Sequence, residues 1–336
     1  MSAKDRAIAG LEAALRRQHF SKRTLKSYAH WVGEYCDALS EYPASDSSEK
    51  KVQRFLSKMA FNDYSASSQN QAFAALQYLY RHVIGKPLGD IDACRAKKPK
   101  RVIAVPSREE TAALLDAVMD EGGYPSRLIA RLMYGCGLRI SDALRLRMKD
   151  VLVDQRRIIV RDGKGQKDRE VSLPSILADP VREQMAVARA MWQRDQSAGL
   201  GVPLPGRLAV KYPASVGSVH WYWVFPAHSP CEYPRGSGRM YRWHVHESTV
   251  QRAVRAAARR VGLGGMVTPH TLRHCYATHA IEMGASVRDV QVALGHSRLD
   301  TTMIYVRADA LRVPSPLDLG HCTRAFVRQA RIEARR

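Results

Sequence analysis

The chain has 336 residues, 45% of them hydrophobic, which is enough for about two cores and too many for a disordered polymer. Lys and Arg total 53 against 32 Asp and Glu, and the formal charge of +21 points to a polyanionic partner. No apolar run approaches the ~18 residues of a membrane span, and six scattered cysteines without a C-x-x-C pair signal neither a zinc ribbon nor a disulfide framework. The opening "MSAKDRAIAGLEAALRR" is an amphipathic helix without a signal-peptide core, so a cytoplasmic protein is expected.

Residues 1–92 read as a small bundle of four helices. The second, "KRTLKSYAHWVGEYCDAL", is capped by Ser21 and carries Leu25, Tyr28, Trp31, Val32 and Tyr35 at helical spacing. Lys22, Arg23 and Lys26 open it, where free backbone N–H groups can join them on a phosphate. The fourth ends at Gly85, a C-cap. Residues 93–106 form a basic linker with Arg95, Lys97, Lys98, Lys100 and Arg101, punctuated by Pro99 and Pro106. A solvated tether and a strap along a phosphate backbone both fit that composition.

A second domain spans 107–318. Helices are predicted at 107–119, 125–134 and 139–149. In "RRIIVRDGKGQKDREVSLP", Ile158 and Val160, then Val171 and Leu173, alternate with polar residues around a Gly-rich turn, a β-hairpin pattern. Helices resume at 175–195, 247–261, 270–283 and 286–294. Residues 199–245 read as an irregular insertion, and 319–336 as a basic tail.

The histidine-rich "TPHTLRHCYATH" places His270 and His274 four apart on one helix face. A zinc protease site needs Glu directly after the first histidine, and Thr271 stands there, so no metal is expected. Pro269 favours a first helical turn, which puts His270 and Arg273 near a helix N-terminus. Arg273 continues the small and apolar line Ala277, Ala280, Ile281 and Gly284; an arginine there needs an anionic partner, a phosphate or a structural carboxylate. In "VALGHSRLDTTMIYV", Gly295 ends a helix, His296 follows, and Tyr305 comes nine residues after His296.

"GLRISDALRLR", "GKGQKDREVSLP", "TPHTLRHCYATH" and "LGHSRLDTTMIY" resemble, in order and spacing, the motifs of the tyrosine recombinase (phage integrase) family. The likeness implies a mainly α protein with a small antiparallel β-sheet, in which a SAM-like core-binding domain and a catalytic domain form a C-shaped clamp on DNA. It implies a metal- and ATP-independent strand transferase without cofactors, consistent with the lack of a G-x-x-x-x-G-K-[ST] loop. Tyr305 becomes the nucleophile. Arg139 and Arg273 clamp the non-bridging oxygens, with Asp142 orienting Arg139. Lys164 protonates the leaving 5′-oxygen, with Lys167 the alternative. His270 accepts the tyrosine proton or binds phosphate, and His296 donates to a non-bridging oxygen.

"LPGRLAVKYPASVGSVHWYWVFPA" with "RMYRWHVHESTVQRAVRAA" is similar to the extra segment of the integron integrase branch, although Trp243 and His244 stand where that branch often has paired histidines. That branch implies insertion and excision of gene cassettes at double-stranded sites and folded single-stranded hairpins, by a homotetramer in the cytoplasm, nucleoid-associated when on DNA. Trp221 and His244 are the expected base-stacking residues, with Trp243, Arg239 and Arg242 also on DNA; Trp223 is the one that can point into a core. A general phage or Xer-like recombinase on double-stranded sites, a type IB topoisomerase and a non-catalytic DNA-binding protein are the rivals.

Overall fold

The computed structural model describes residues 1–89, 91, 105–161, 168–234, 236–264, 267–295 and 302. The chain divides into two compact units, Met1–Val102 and Ile103–Arg336.

Among the described residues the first unit holds four α-helices: α1 (Ala3–Arg17), α2 (Lys22–Ala38), α3 (Ser48–Phe61) and α4 (Ala66–Leu79). Each begins at a serine. The side chains of Ser2, Ser21, Ser47 and Ser65 accept from the backbone N–H three residues on, which removes an otherwise unpaired donor at each helix start. A π-turn at Tyr80–Ile84 prolongs α4 until Gly85 adopts φ 75°, the expected stop. Leu25, Trp31, Val32 and Tyr35 of α2 are buried as their spacing requires, and the buried hydroxyls of Tyr35 and Tyr80 lie 2.8 Å apart. Lys22, Arg23 and Lys26 are exposed at the opening of the same helix.

The second unit begins with α5 (Arg108–Ala117), α6 (Ser126–Gly135) and α7 (Ile140–Leu144). An antiparallel sheet follows, ordered β1 (Val151–Leu152), β2 (Arg157–Val160), β3 (Arg169–Ser172). Ile158 faces Val171 in the register, so the two apolar positions seen in the sequence bury together on one face. Then come α8 (Ser175–Ser197), the short α9 (Leu208–Lys211), a two-stranded ribbon of β4 (Cys231–Glu232) and β5 (Met240–Tyr241), and α10 (Glu247–Arg260). The described helices end with α11 (Pro269–Glu282) and α12 (Val287–Leu294). Helix α11 buries side chains all round, from Leu272 and Cys275 to Thr278 and His279, and is the central helix of this unit. The fold is thus mainly helical with small antiparallel sheets, as expected.

One expectation needs correction. The helix predicted over 139–149 stops at Leu144, because residues 146–148 pair with the insertion instead: Met148 N donates to Tyr222 O at 3.0 Å and Val224 N to Leu146 O at 2.9 Å. The insertion is largely irregular, as expected, yet it is not a detached loop. Val202, Tyr222, Trp223, Val224, Phe225 and Val245 belong to the same buried cluster as Leu114, Ile129 and Leu272.

Two buried arginines fasten the insertion. The Arg147 guanidinium carbon lies 3.1 Å from the Trp223 ring centroid, and its Nη1 and Nη2 donate to the carbonyls of Trp221 (2.6 Å) and Pro203 (2.9 Å). Burial pulls the Arg147 pKa down to about 9, which still leaves the group charged at neutral pH. Arg242 forms a two-pronged ion pair with Asp195 of α8, Nη2 to Oδ1 at 2.6 Å and Nε to Oδ2 at 2.8 Å, and the Tyr222 hydroxyl donates to the same carboxylate. Asp195→Ala strands the buried Arg242 charge and is expected to cost ~3–5 kcal/mol in urea unfolding. Asp154→Ala, which removes an exposed partner of Arg182, should leave the transition unmoved.

Candidate active site

A close approach of two backbone segments stands at Gly137. Its φ of +63° belongs to the left-handed region, and an added Cβ would lie 2.6 Å from the Tyr276 ring and 3.1 Å from a Leu294 methyl. Only glycine lets the loop after α6 lie against α11. Two residues later Arg139 takes extended backbone (φ −72°, ψ 154°) and starts α7. Asp142, in the first turn of α7, accepts from Arg139 N at 3.3 Å and places Oδ2 3.6 Å from Arg139 Nη1. That distance balances charge without making a hydrogen bond, and Nη1 is buried with no hydrogen-bond partner among the described residues.

Arg273 stands in the second turn of α11, whose start is formed by Pro269 and by reciprocal bonding between Thr268 and Thr271. The side chain is 1% exposed. Nη1 donates to Gly137 O at 2.6 Å and Nη2 to Leu294 O at 2.5 Å. One side chain thereby ties the approach to Arg139 to the end of α12.

That helix end is fully satisfied. Gly295 turns left-handed (φ 63°, ψ 45°), as expected of a stop, and its N–H reaches the carbonyls of Gln291 and Val292. Ala293 O accepts from Arg169 Nε at 3.0 Å, and Leu294 O from Arg273. Arg169 of β3 also donates through Nη2 to Asp142 Oδ2 at 2.7 Å. The sequence reading passed over Arg169, although it closes the quoted segment "GKGQKDR".

His270 lies in the first turn of α11. The atoms packed around its ring, then the charges of Arg273 and Arg139, hold its pKa below the usual 6.5. The three groups therefore share one electrostatic neighbourhood. The His270 and His274 rings meet edge to face, centroids 4.5 Å apart. His279, the third histidine of the segment, is buried and internal: Nδ1 is 3.0 Å from the Tyr134 hydroxyl and Nε2 3.0 Å from Pro106 O. Lys164, Lys167, His296 and Tyr305 lie outside the described residues, as do Lys97, Lys98 and Lys100. No three His, Cys, Asp or Glu side chains gather as a metal site among the described residues.

Residues 107–312 match the family described as "Phage integrase family", and residues 8–90 match "Phage integrase, N-terminal SAM-like domain". The chain belongs to the phage integrase family of tyrosine recombinases. This recombinase is 40% identical over 314 residues to an "Integrase/recombinase" of Escherichia coli, covering 92% of each chain. It is 32% identical to "Tyrosine recombinase XerA" of Thermococcus kodakarensis, over 91% of this chain and 92% of that one. Among solved structures, a XerH site-specific recombinase in a post-cleavage complex shares the fold at TM-score 0.59 and 18% identity, over 86% of this chain and 77% of that one. A lambda integrase dimer bound to a core site does so at TM-score 0.58 and 17% identity, over 88% and 92%. The chain is a tyrosine site-specific recombinase.

The insertion residues of this recombinase divide sharply. Arg242, expected on DNA, is instead buried: beyond Asp195 it donates through Nη1 to Ala227 O and His228 O, which spends its fork on the protein. His244, expected to stack on a base, is buried too, edge-on to Trp223 with Nδ1 2.7 Å from Val245 O, and burial depresses its pKa to about 4. Trp223 is core, as its place two residues after Trp221 suggested. Trp243 is half-buried in a ring cluster with Tyr233 and Trp223. Trp221 is half-buried with Lys149 Nζ 3.1 Å from its ring centroid, and Arg239 is exposed.

The depressed pKa of His270 has a direct test. Its ring titration, followed by NMR, is expected to have a midpoint below 6.5, so that the ring is neutral at pH 7. Arg139→Gln removes one of the two charges and should move the midpoint up. An unmoved midpoint would separate His270 from Arg139 electrostatically.

Proposed function

We propose that this recombinase is an integron integrase, cutting and rejoining DNA through a 3′-phosphotyrosine to move gene cassettes between double-stranded sites and folded single-stranded hairpins. The observation that carries this is the insertion at 199–245, which is built into the catalytic unit's core through Arg147 and Asp195 and still leaves Tyr212, His220 and Arg239 exposed and Trp221 half-buried. An aromatic and basic surface suits unpaired bases, because stacking on rings contributes ~1–3 kcal/mol per base whatever the sequence. Trp221 and Arg239 are the residues for this role. Lys149 now covers one Trp221 face, so a base would take the other or displace it.

The chemistry of this reading is the one that the family resemblance implies. The Tyr305 oxygen attacks the scissile phosphorus, a bond forms to the 3′-phosphate, and the 5′-oxygen leaves with a proton from Lys164. His270, neutral at pH 7, takes the phenolic proton. Arg139, with a buried donor held off its carboxylate, and Arg273, a buried cation that acts on the same His270 ring, stabilise the charge of the pentavalent state in place of a metal. His296 donates to a non-bridging oxygen. The covalent link conserves the bond energy, so rejoining needs no ATP. Four copies assemble on two sites in the cytoplasm, at the nucleoid, with Lys22, Arg23, Lys26 and the linker lysines Lys97, Lys98 and Lys100 on the phosphate backbone.

Two measurements test this reading. A nicked suicide substrate should trap a covalent adduct that Tyr305→Phe abolishes and Arg139→Ala slows by at least ~10²-fold. The two strands of one hairpin-forming site, each folded alone, should be cleaved unequally, and Trp221→Ala should reduce the preference. Equal cleavage would favour a Xer-like enzyme of double-stranded sites.

A further inference from the structure

We infer that Arg169 is a positioning residue for cleavage, one that keeps Arg139 free to meet the scissile phosphate. This rests on the reading above, in which Arg139 contacts that phosphate.

Asp142 Oδ2 is shared by two arginines on unequal terms. Arg169 Nη2 takes it at 2.7 Å, a full charge-assisted hydrogen bond, while Arg139 Nη1 stays 3.6 Å away. Arg169 is 7% exposed and Asp142 11%, so water competes little for either. Without Arg169 the carboxylate would keep one cationic neighbour. Closing the remaining gap to Arg139 would then satisfy the buried Nη1, now without a hydrogen-bond partner among the described residues, and turn that donor away from substrate. Arg169 thus holds the carboxylate close enough to Arg139 to balance its charge, and too far to consume its donor.

The other arm of Arg169 reaches across the site. Nε donates to Ala293 O, and its side chain fills the space beside Gly295, where an added Cβ would lie 2.9 Å from Arg169 Cδ. The residue stands at the first position of β3, in register with Val160. It joins the Arg139 segment, the hairpin and the end of α12 with one planar group. Lysine keeps the charge but has no planar fork, so it cannot hold the two acceptors in the same fixed geometry.

The test uses the full-length protein and a nicked suicide duplex obtained from a randomised pool by covalent capture on the wild type. Single-turnover cleavage at saturating protein and DNA affinity are measured separately. Arg169→Ala is expected to slow cleavage ~10- to 100-fold, with affinity within about twofold. Arg169→Lys should fall between the two, and serves also if the alanine variant fails to fold. Adding Asp142→Asn to either variant should restore part of the lost rate, because the carboxylate that captures Arg139 is gone. A purely structural role predicts the reverse, with losses that add and with affinity and thermal stability falling alongside the rate. Cleavage at the wild-type rate in both variants, or additive losses with Asp142→Asn, overturns the inference. Arg157→Ala, which removes an exposed ion pair with Glu170 on the same hairpin, should leave the rate unchanged. If the wild type captures no duplex, or Arg139→Ala cleaves as fast as wild type, the phosphate reading of Arg139 has failed, and the role of Arg169 falls with it.

Discussion

The last four carbonyls of α12 hold the second unit's site together. A helix ends with acceptors that its own backbone cannot satisfy and with a partial negative charge. Gly295 answers two of them by turning left-handed, and the guanidinium groups of Arg169 and Arg273 answer the other two. Those arginines come from β3 and α11, and each extends a second donor toward the Arg139 segment, one to Asp142 and one to Gly137. Three stretches far apart in the chain are therefore spaced by one helix terminus. Hydrogen bonds from charged donors contribute ~1.5–3 kcal/mol each, but the greater effect is geometric, since planar groups bonded at both ends leave little freedom between the parts they join.

A chain with a formal charge of +21 does not present all of it to a partner. The side chains of Arg147, Arg169, Arg242 and Arg273 are largely shielded from solvent, and each is compensated differently. Arg147 has carbonyls and an indole face, Arg242 a carboxylate, Arg273 carbonyls, and Arg169 one carboxylate and one carbonyl. Burying a cation is costly unless its donors are met. Arginine suits such work because its donors are fixed in a plane and can be met one by one. Lys22, Arg23, Lys26 and Arg239 are among the exposed cations.

Much of the fold could be read locally. The Ser21 cap, the Gly85 and Gly295 stops, Pro269 at a helix start and the paired apolar positions of the hairpin are all decided within a few residues, and they stand where the pattern put them. What was not legible depends on partners distant in sequence. Residues 145–149 have a helical look, yet leave the helix because the insertion supplies backbone partners for Leu146 and Met148. His244 and Arg242 sit among aromatic and basic neighbours that resemble a nucleic-acid surface. Only Asp195, 47 positions away from Arg242, shows that the pair is internal. Of the site, the motifs exposed Arg139, His270 and Arg273, whereas Arg169 looked like one more basic residue in a polar turn until its two acceptors were seen.

The sockets of the insertion lie outside it. Arg147 precedes α8 and Asp195 is in α8, so transplanting residues 199–245 into another recombinase would bring Trp223 and Arg242 without the cation that covers one and the carboxylate that neutralises the other. A useful chimera would carry at least these two host positions with it. Exchange among relatives, whether in a laboratory or in natural sequence drift, is accordingly constrained to move all three pieces as one block.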